Sequence, residues 1–214
     1  MLGRLVAIAS LVFASFTSQA ADGHDHKEAP LGDISKRYKV LAEPQAVPQD
    51  GRIHVEEMFW YGCGHCFSLE DHVTNWKAGK GDDVEFTRVP AMFGKAWVIH
   101  AQLYYISEVL GLTDKTHSAI FNAIHLNNQK LTRKSEQQAF FADFGVNEED
   151  FNKAYNSFTV KSRMKQGDQR VRGYKITGVP AIVVNGKYLV DAGSAGGQKN
   201  IFKVVDYLIE QERK

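Results

Sequence analysis

This 214-residue chain holds two cysteines, Cys63 and Cys66, in the segment GCGHC. A disulfide across two intervening residues closes a tiny loop and restricts the unfolded chain little, so the pair is a poor structural staple. That leaves the chemistry of the thiols. The residues that follow read as a helix: Phe67, Leu69, Val73 and Trp76 form an apolar stripe, and Gly79 ends it. A cysteine at a helix start sits among backbone N–H groups that lack helical partners and faces the positive end of the helix dipole. Both favour thiolate over thiol. Cys63 is then the nucleophile or the attacked sulfur, and Cys66, one turn in, resolves the mixed disulfide. Gly62 and Gly64 let another chain approach closely. His65, when charged, adds a positive group near the sulfur.

A metal site is the competing use of a C-x-x-C pair. Structural zinc takes four ligands, and neither a second C-x-x-C nor paired histidines are present. The remaining histidines, His54, His72, His100, His117 and His125, are scattered. His24-Asp25-His26 is a second metal-binding candidate, since a chain beginning at Asp22 would place a histidine third. A disordered polar leader is the simpler reading. No metal site is expected.

The elements that position the cysteines are legible from pattern. Residues 38–42 (YKVLA), 53–61 (IHVEEMFWY) and 84–89 (VEFTRV) read as strands. Strand, helix, strand in this order implies a parallel pair joined by a crossover. Helices follow over 97–110 and 114–125. A capping box of Ser135 and Gln138 starts the next, which Gly145 stops. Asn147 caps another, with Phe151, Ala154 and Tyr155 on its apolar face, and 160–173 is a last one. Residues 181–184 and 187–190 flank Asn185-Gly186, a type I′ hairpin signal. Asn200 caps a closing helix carrying Ile201, Val204, Val205 and Leu208. The fold class is α/β, split by an all-helical insertion.

The first twenty residues predict export. Arg4, the apolar run 5–16 and the small residues Ser18 and Ala20 describe a signal peptide cleaved after Ala20. The run is shorter than the roughly 20 residues a membrane span needs. Lys plus Arg (26) nearly balances Asp plus Glu (25), which gives no basic face for nucleic acid.

Four stretches carry a family resemblance: EMFWYGCGHC, the following FSLEDHV, VRGYKITGVPA (171–181) and TGVPAIVVNGKYLV. Together with the signal peptide and the helical insertion they resemble the DsbA family of periplasmic thiol–disulfide oxidoreductases, within the thioredoxin superfamily. DsbA proteins are the familiar instance of a depressed cysteine pKa and an oxidising disulfide. The resemblance implies a thioredoxin fold over 36–95 and 174–214, a helical insertion over 96–173, a signal peptide over 1–20 and a flexible leader over 21–35. It implies that Val179-Pro180 is cis and lies beside Cys63, where the Val179 backbone binds an extended substrate. From the residues alone, an ordinary trans proline entering a strand is the expectation. It also implies that Glu57 is a buried acid beneath the disulfide, moving a proton to or from Cys66. Strand parity leaves Glu56 and Glu57 equivalent, because a central strand is covered on both faces.

The implied activity is an exported dithiol oxidase that introduces disulfides into folding secreted proteins, with Cys63, Cys66, His65 and Glu57 as catalytic residues and Val179 and Pro180 as substrate-binding residues. It needs no cofactor beyond the Cys63–Cys66 disulfide. Its implied partners are exported proteins with free thiols and a quinone-linked membrane reoxidase of the DsbB type, and a monomer is expected. Gly64-His65 departs from the Pro-His common in the family and is usual in eukaryotic isomerases. An isomerase or reductase using the same cysteines therefore stays open, as do a periplasmic metal carrier and a holdase-like chaperone.

Overall fold

The computed structural model describes residues 31–214. The expected signal peptide, the His24-Asp25-His26 motif and most of the expected leader lie outside the described residues. Five strands form one mixed sheet: β1 (Lys39–Val40), β2 (Ile53–Phe59), β3 (Val84–Pro90), β4 (Ala181–Val184) and β5 (Tyr188–Asp191). Their order is β1-β5-β4-β2-β3. β2 and β3 run parallel, with α1 (Gly64–Ala78) as the crossover, and the other pairs are antiparallel. Between β3 and β4 lie five helices: α2 (Lys95–Val109), α3 (Thr113–His125), α4 (Lys134–Ala142), α5 (Glu148–Asn156) and α6 (Phe158–Gly173). A short α7 (Ala192–Ala195) and α8 (Ile201–Glu212) close the chain. Among the described residues no helix is long and apolar enough to cross a membrane.

All seven residues of β2 are buried, as a strand covered on both faces must be. On one face, Leu69, Val73 and Trp76 of α1 and Val204, Val205 and Leu208 of α8 pack with Ile53, Val55 and Ile182. On the other, Met58 and Val183 meet Val171, Tyr174 and Ile176. The insertion has its own core of Leu103, Ile106, Ile120, Phe121, Phe141 and Phe151, and this core continues to Phe59, Tyr61 and Cys66. The reactive end of α1 is thus the seam between sheet and insertion.

The hairpin follows the sequence signal. Asn185 and Gly186 both adopt positive φ (49° and 65°), as a type I′ turn requires. A Cβ on Gly186 would stand 2.1 Å from the Gln45 carbonyl oxygen, so no larger residue fits. Asn147 caps α5 as expected, its side chain accepting the Asp150 N–H at 2.8 Å.

Several expectations are corrected. β2 stops at Phe59, because the Trp60 carbonyl turns to accept the Cys63 N–H at 2.9 Å. Ser135 does not cap α4. The Glu136 carboxylate reaches back to the Thr132 and Arg133 N–H groups (2.9 and 3.0 Å) and starts the helix earlier. Asn200 precedes α8, but its amide donates to the Ala195 and Gly196 carbonyls (3.3 and 3.1 Å) and closes the preceding turn instead. Phe67 leaves the apolar stripe of α1 and packs with the insertion. Residues 31–35, expected to be loose, include Leu31 and Ile34 packed on the sheet core.

Candidate active site

Cys63 is the N-cap of α1, with extended backbone (φ −91°, ψ 114°). Its Sγ accepts the Cys66 N–H at 3.3 Å, and its carbonyl accepts the Phe67 N–H at 3.0 Å. Both cysteines are free thiols; Cys63 is half-buried and Cys66 is buried. The Cys63 pKa is lowered to about 6. The hydrogen bond with the Cys66 side chain is the largest cause, the backbone N–H groups of Cys66 and His65 add to it, and the His65 charge contributes less, all against burial. Burial and the neighbouring Cys63 thiolate push the Cys66 thiol far up. One sulfur of the pair therefore ionises near neutral pH and the other keeps its proton.

His65 is exposed, and its carbonyl accepts the Gln198 side-chain amide at 2.6 Å. Gly64 is open, as close approach by another chain requires. Gly62 is glycine for a different reason: a Cβ there would lie 2.3 Å from the Trp60 ring, which stacks on Trp97 at 4.1 Å.

The Val179-Pro180 bond is cis, and the Val179 carbonyl oxygen lies 3.6 Å from Cys63 Sγ. Beside it runs a groove of about 500 Å³, lined by His65, Thr177, Val179, Pro180, Leu189 and Gln198 among others.

Glu57 is fully buried on the face of β2 that looks toward α1. Its Oε2 accepts from Arg88 Nε at 3.0 Å, while Oε1 makes no hydrogen bond. Burial raises its pKa to about 7 although the Arg88 charge opposes this. The charges of Glu70 and Cys63 raise it further, and Glu57 in turn raises Cys66. Glu56, on the opposite face, is buried by Arg170 and Tyr174, both of which donate to its carboxylate. Among the described residues no three His, Cys, Asp or Glu side chains gather as a metal site.

Residues 66–208 match the DSBA-like thioredoxin domain. Over 213 residues the chain is 43% identical to the thiol:disulfide interchange protein DsbA of Azotobacter vinelandii, covering 100% of this chain and 97% of that protein. This chain belongs to the DsbA-like thioredoxin family. The crystal structure of Pseudomonas aeruginosa DsbA superposes with a TM-score of 0.79 at 44% identity, covering 84% of this chain and 93% of that one. The Xylella fastidiosa DsbA oxidoreductase superposes with 0.77 at 32% identity, covering 82% and 95%. The fold is accordingly the DsbA-like thioredoxin fold with a helical insertion.

In this DsbA-like chain the fold brings Cys63, Cys66, Val179 and Glu57 together and leaves His65 at the rim. It also brings in residues that the sequence reading did not single out. Arg88 stands opposite Glu57 in the parallel β2–β3 register, a pairing invisible until the register is known. Glu70 lies four residues after Cys66, on the same side of α1, and accepts from Arg88 at 3.3 Å, with His117 Nε2 3.2 Å away but not hydrogen-bonded to it. The i, i+4 spacing was an available signal. The Tyr61 hydroxyl pairs with His117 Nδ1 at 2.9 Å, and nothing local in the sequence announces that contact.

Proposed function

We propose that this chain is an exported dithiol–disulfide oxidase acting through Cys63 and Cys66. It is a thiol–disulfide oxidoreductase, and the observation that carries the direction is the split between its sulfurs: Cys63 lowered to about 6, Cys66 pushed up. A substrate thiolate attacks the Cys63 sulfur of the enzyme disulfide. The Cys63–Cys66 bond breaks, and Cys66 leaves as a thiolate that takes a proton. A second substrate thiolate then attacks the substrate sulfur of the mixed disulfide and expels Cys63. The substrate is oxidised by two electrons and the enzyme is left as a dithiol. A low pKa makes Cys63 a good leaving group and stabilises the reduced enzyme, which makes the disulfide a better oxidant.

In this reading Glu57, with a pKa of about 7, supplies or accepts the Cys66 proton. The Val179 backbone aligns an extended substrate, a mode that depends little on side chains. His65 tunes the charge beside Cys63. Redox equivalents reside in the cysteine pair, with no further cofactor. Substrates are folding exported proteins with free thiols in the periplasm, and a quinone-linked membrane partner of the DsbB type reoxidises the dithiol. The sheet with α1, α7 and α8 acts as the thioredoxin-like unit, and 96–173 as the insertion.

Cys63→Ser tests the mechanism: it should abolish disulfide transfer to a dithiol peptide, whereas Cys66→Ser, which has no enzyme disulfide but keeps the Cys63 thiolate, should attack a disulfide peptide and accumulate the mixed disulfide that Cys66 would otherwise resolve. Transfer surviving in Cys63→Ser overturns it. Gly64-His65 supports a second reading, isomerase or reductase. The Cys63–Cys66 reduction potential separates the two. A value near the about −270 mV of thioredoxin favours the second, and one well above the cytosolic glutathione pool favours the oxidase.

A further inference from the structure

The insertion touches the redox motif through a histidine at the end of α3, His125. Its Nε2 lies 2.8 Å from the Tyr61 carbonyl oxygen, two residues before Cys63. Its ring lies flat on Phe67, one residue after Cys66, with centroids 4.8 Å apart and planes 5° apart. One insertion side chain therefore grips the chain on both sides of the cysteine pair.

The chemistry of the contact is directional. A carbonyl oxygen only accepts, so His125 Nε2 must carry the hydrogen in either charge state of the ring. Tyr61 is held at its other end as well, where its hydroxyl meets His117 Nδ1, and its ring is buried among Phe59 and Phe121. With hydroxyl and carbonyl both fixed, the peptide leading into Gly62 has one orientation. That peptide sets where Cys63 enters the first turn of α1.

We propose that His125 is a positioning residue for Cys63: by donating to the Tyr61 carbonyl it holds the turn that seats the sulfur at the amides of the first helical turn. The alternative is a packed aromatic side chain that serves the insertion core alone. The two differ in what the sulfur experiences. The hydrogen bonds that favour the Cys63 thiolate come from Cys66 and His65, and N–H···S geometry is directional. A turn that wanders loses part of them, and a plain core residue would leave them intact. The proposal rests on the redox reading of Cys63 and Cys66.

Two variants separate donor from ring. His125→Phe keeps the stack on Phe67 and removes the donor, whereas His125→Gln keeps an N–H donor and removes the stack. The readouts are the pH midpoint of Cys63 thiolate absorbance and the equilibrium constant with glutathione, with thermal unfolding in parallel. His125→Phe is expected to raise the midpoint and to make the disulfide about three- to tenfold less oxidising, equivalent to about 15–30 mV. His125→Gln is expected to recover most of both. An unchanged Cys63 midpoint in His125→Phe, even with lowered thermal stability, overturns the proposal, as does an equal shift in both variants. Imidazole nitrogen NMR of the unsubstituted protein tests it without any variant: a neutral His125 with its proton on Nδ1 overturns it. Disulfide exchange by the unsubstituted protein is measured alongside. If that exchange is absent, the functional reading fails, while the tautomer and the midpoint still report on His125.

Discussion

Glu56 and Glu57 are neighbours on β2, both buried, on opposite faces of the sheet. Glu56 is satisfied by Arg170, from the last helix of the insertion, and by the Tyr174 hydroxyl just beyond it. Glu57 has one oxygen on Arg88 and one with no hydrogen bond, and it faces the side of the sheet where the cysteines lie. The charge on the first ties two parts of the fold together. The charge on the second is costly, and its proton is held to a pKa of about 7. Burial alone does not mark a functional carboxylate. The incompletely partnered oxygen sets Glu57 apart from Glu56 and supports the role proposed for it.

This contrast is open to attack at several points. The largest expected effect is on rate. Glu57→Gln should slow the Cys66-dependent step at pH 7 by about 10- to 100-fold, at or below the usual range for a positioned acid–base group. Stopped-flow exchange with a thiol peptide reads this, and a rate equal to that of the unsubstituted protein would remove Glu57 from the mechanism.

Glu56→Gln should do the opposite. Exchange stays unchanged, while stability falls by about 1–3 kcal/mol as buried donors lose their charged acceptor, or about 2–12 °C in Tm for a chain of this size. Slowed exchange with intact stability would exchange the two roles.

A pH titration of stability sharpens the comparison further. The folded pKa of Glu57, about 7, lies above the ordinary value of 4.5. Between those values the folded state keeps a proton that the unfolded chain has released. In the disulfide form, where Cys63 carries no titrating proton to oppose the effect, the protein should therefore lose stability as pH rises through that window. Urea melts at pH 5 and pH 7.5 should show this loss, Glu57→Gln should flatten it and Glu56→Gln should leave it in place. The smallest effect is expected from Tyr174→Phe, which removes one donor to Glu56 and should cost about 1 kcal/mol without touching exchange.

How far such roles can be seen in advance depends on how near the deciding atoms lie along the chain. Cys63 and Gly79 mark the ends of α1 correctly because capping is a matter of a few consecutive residues. Asn185-Gly186 announces its turn because both residues tolerate positive φ. Ser135 carries a cap signal that goes unused because the Glu136 carboxylate takes the Thr132 and Arg133 N–H groups instead. Phe67 packs with the insertion rather than with the rest of its stripe, because periodicity finds apolar positions without saying which of two cores receives each.

The reactive pair, its place at a helix start, the α/β order around it and the helical insertion are all legible along the chain. These rest on residue type and short spacing. Residue pattern leaves Glu56 and Glu57 equivalent and the family resemblance points to Glu57, but only the tertiary structure pairs Glu57 with Arg88, 31 residues away, by strand register. It sets the Val179 carbonyl at Cys63, across 116 residues, where the resemblance implies it, and His125 against Tyr61, across 64, which nothing in the sequence implies. Such contacts carry no local signature because they are made by packing: each partner is chosen by which elements meet, and that is settled by burial of apolar faces over the whole chain.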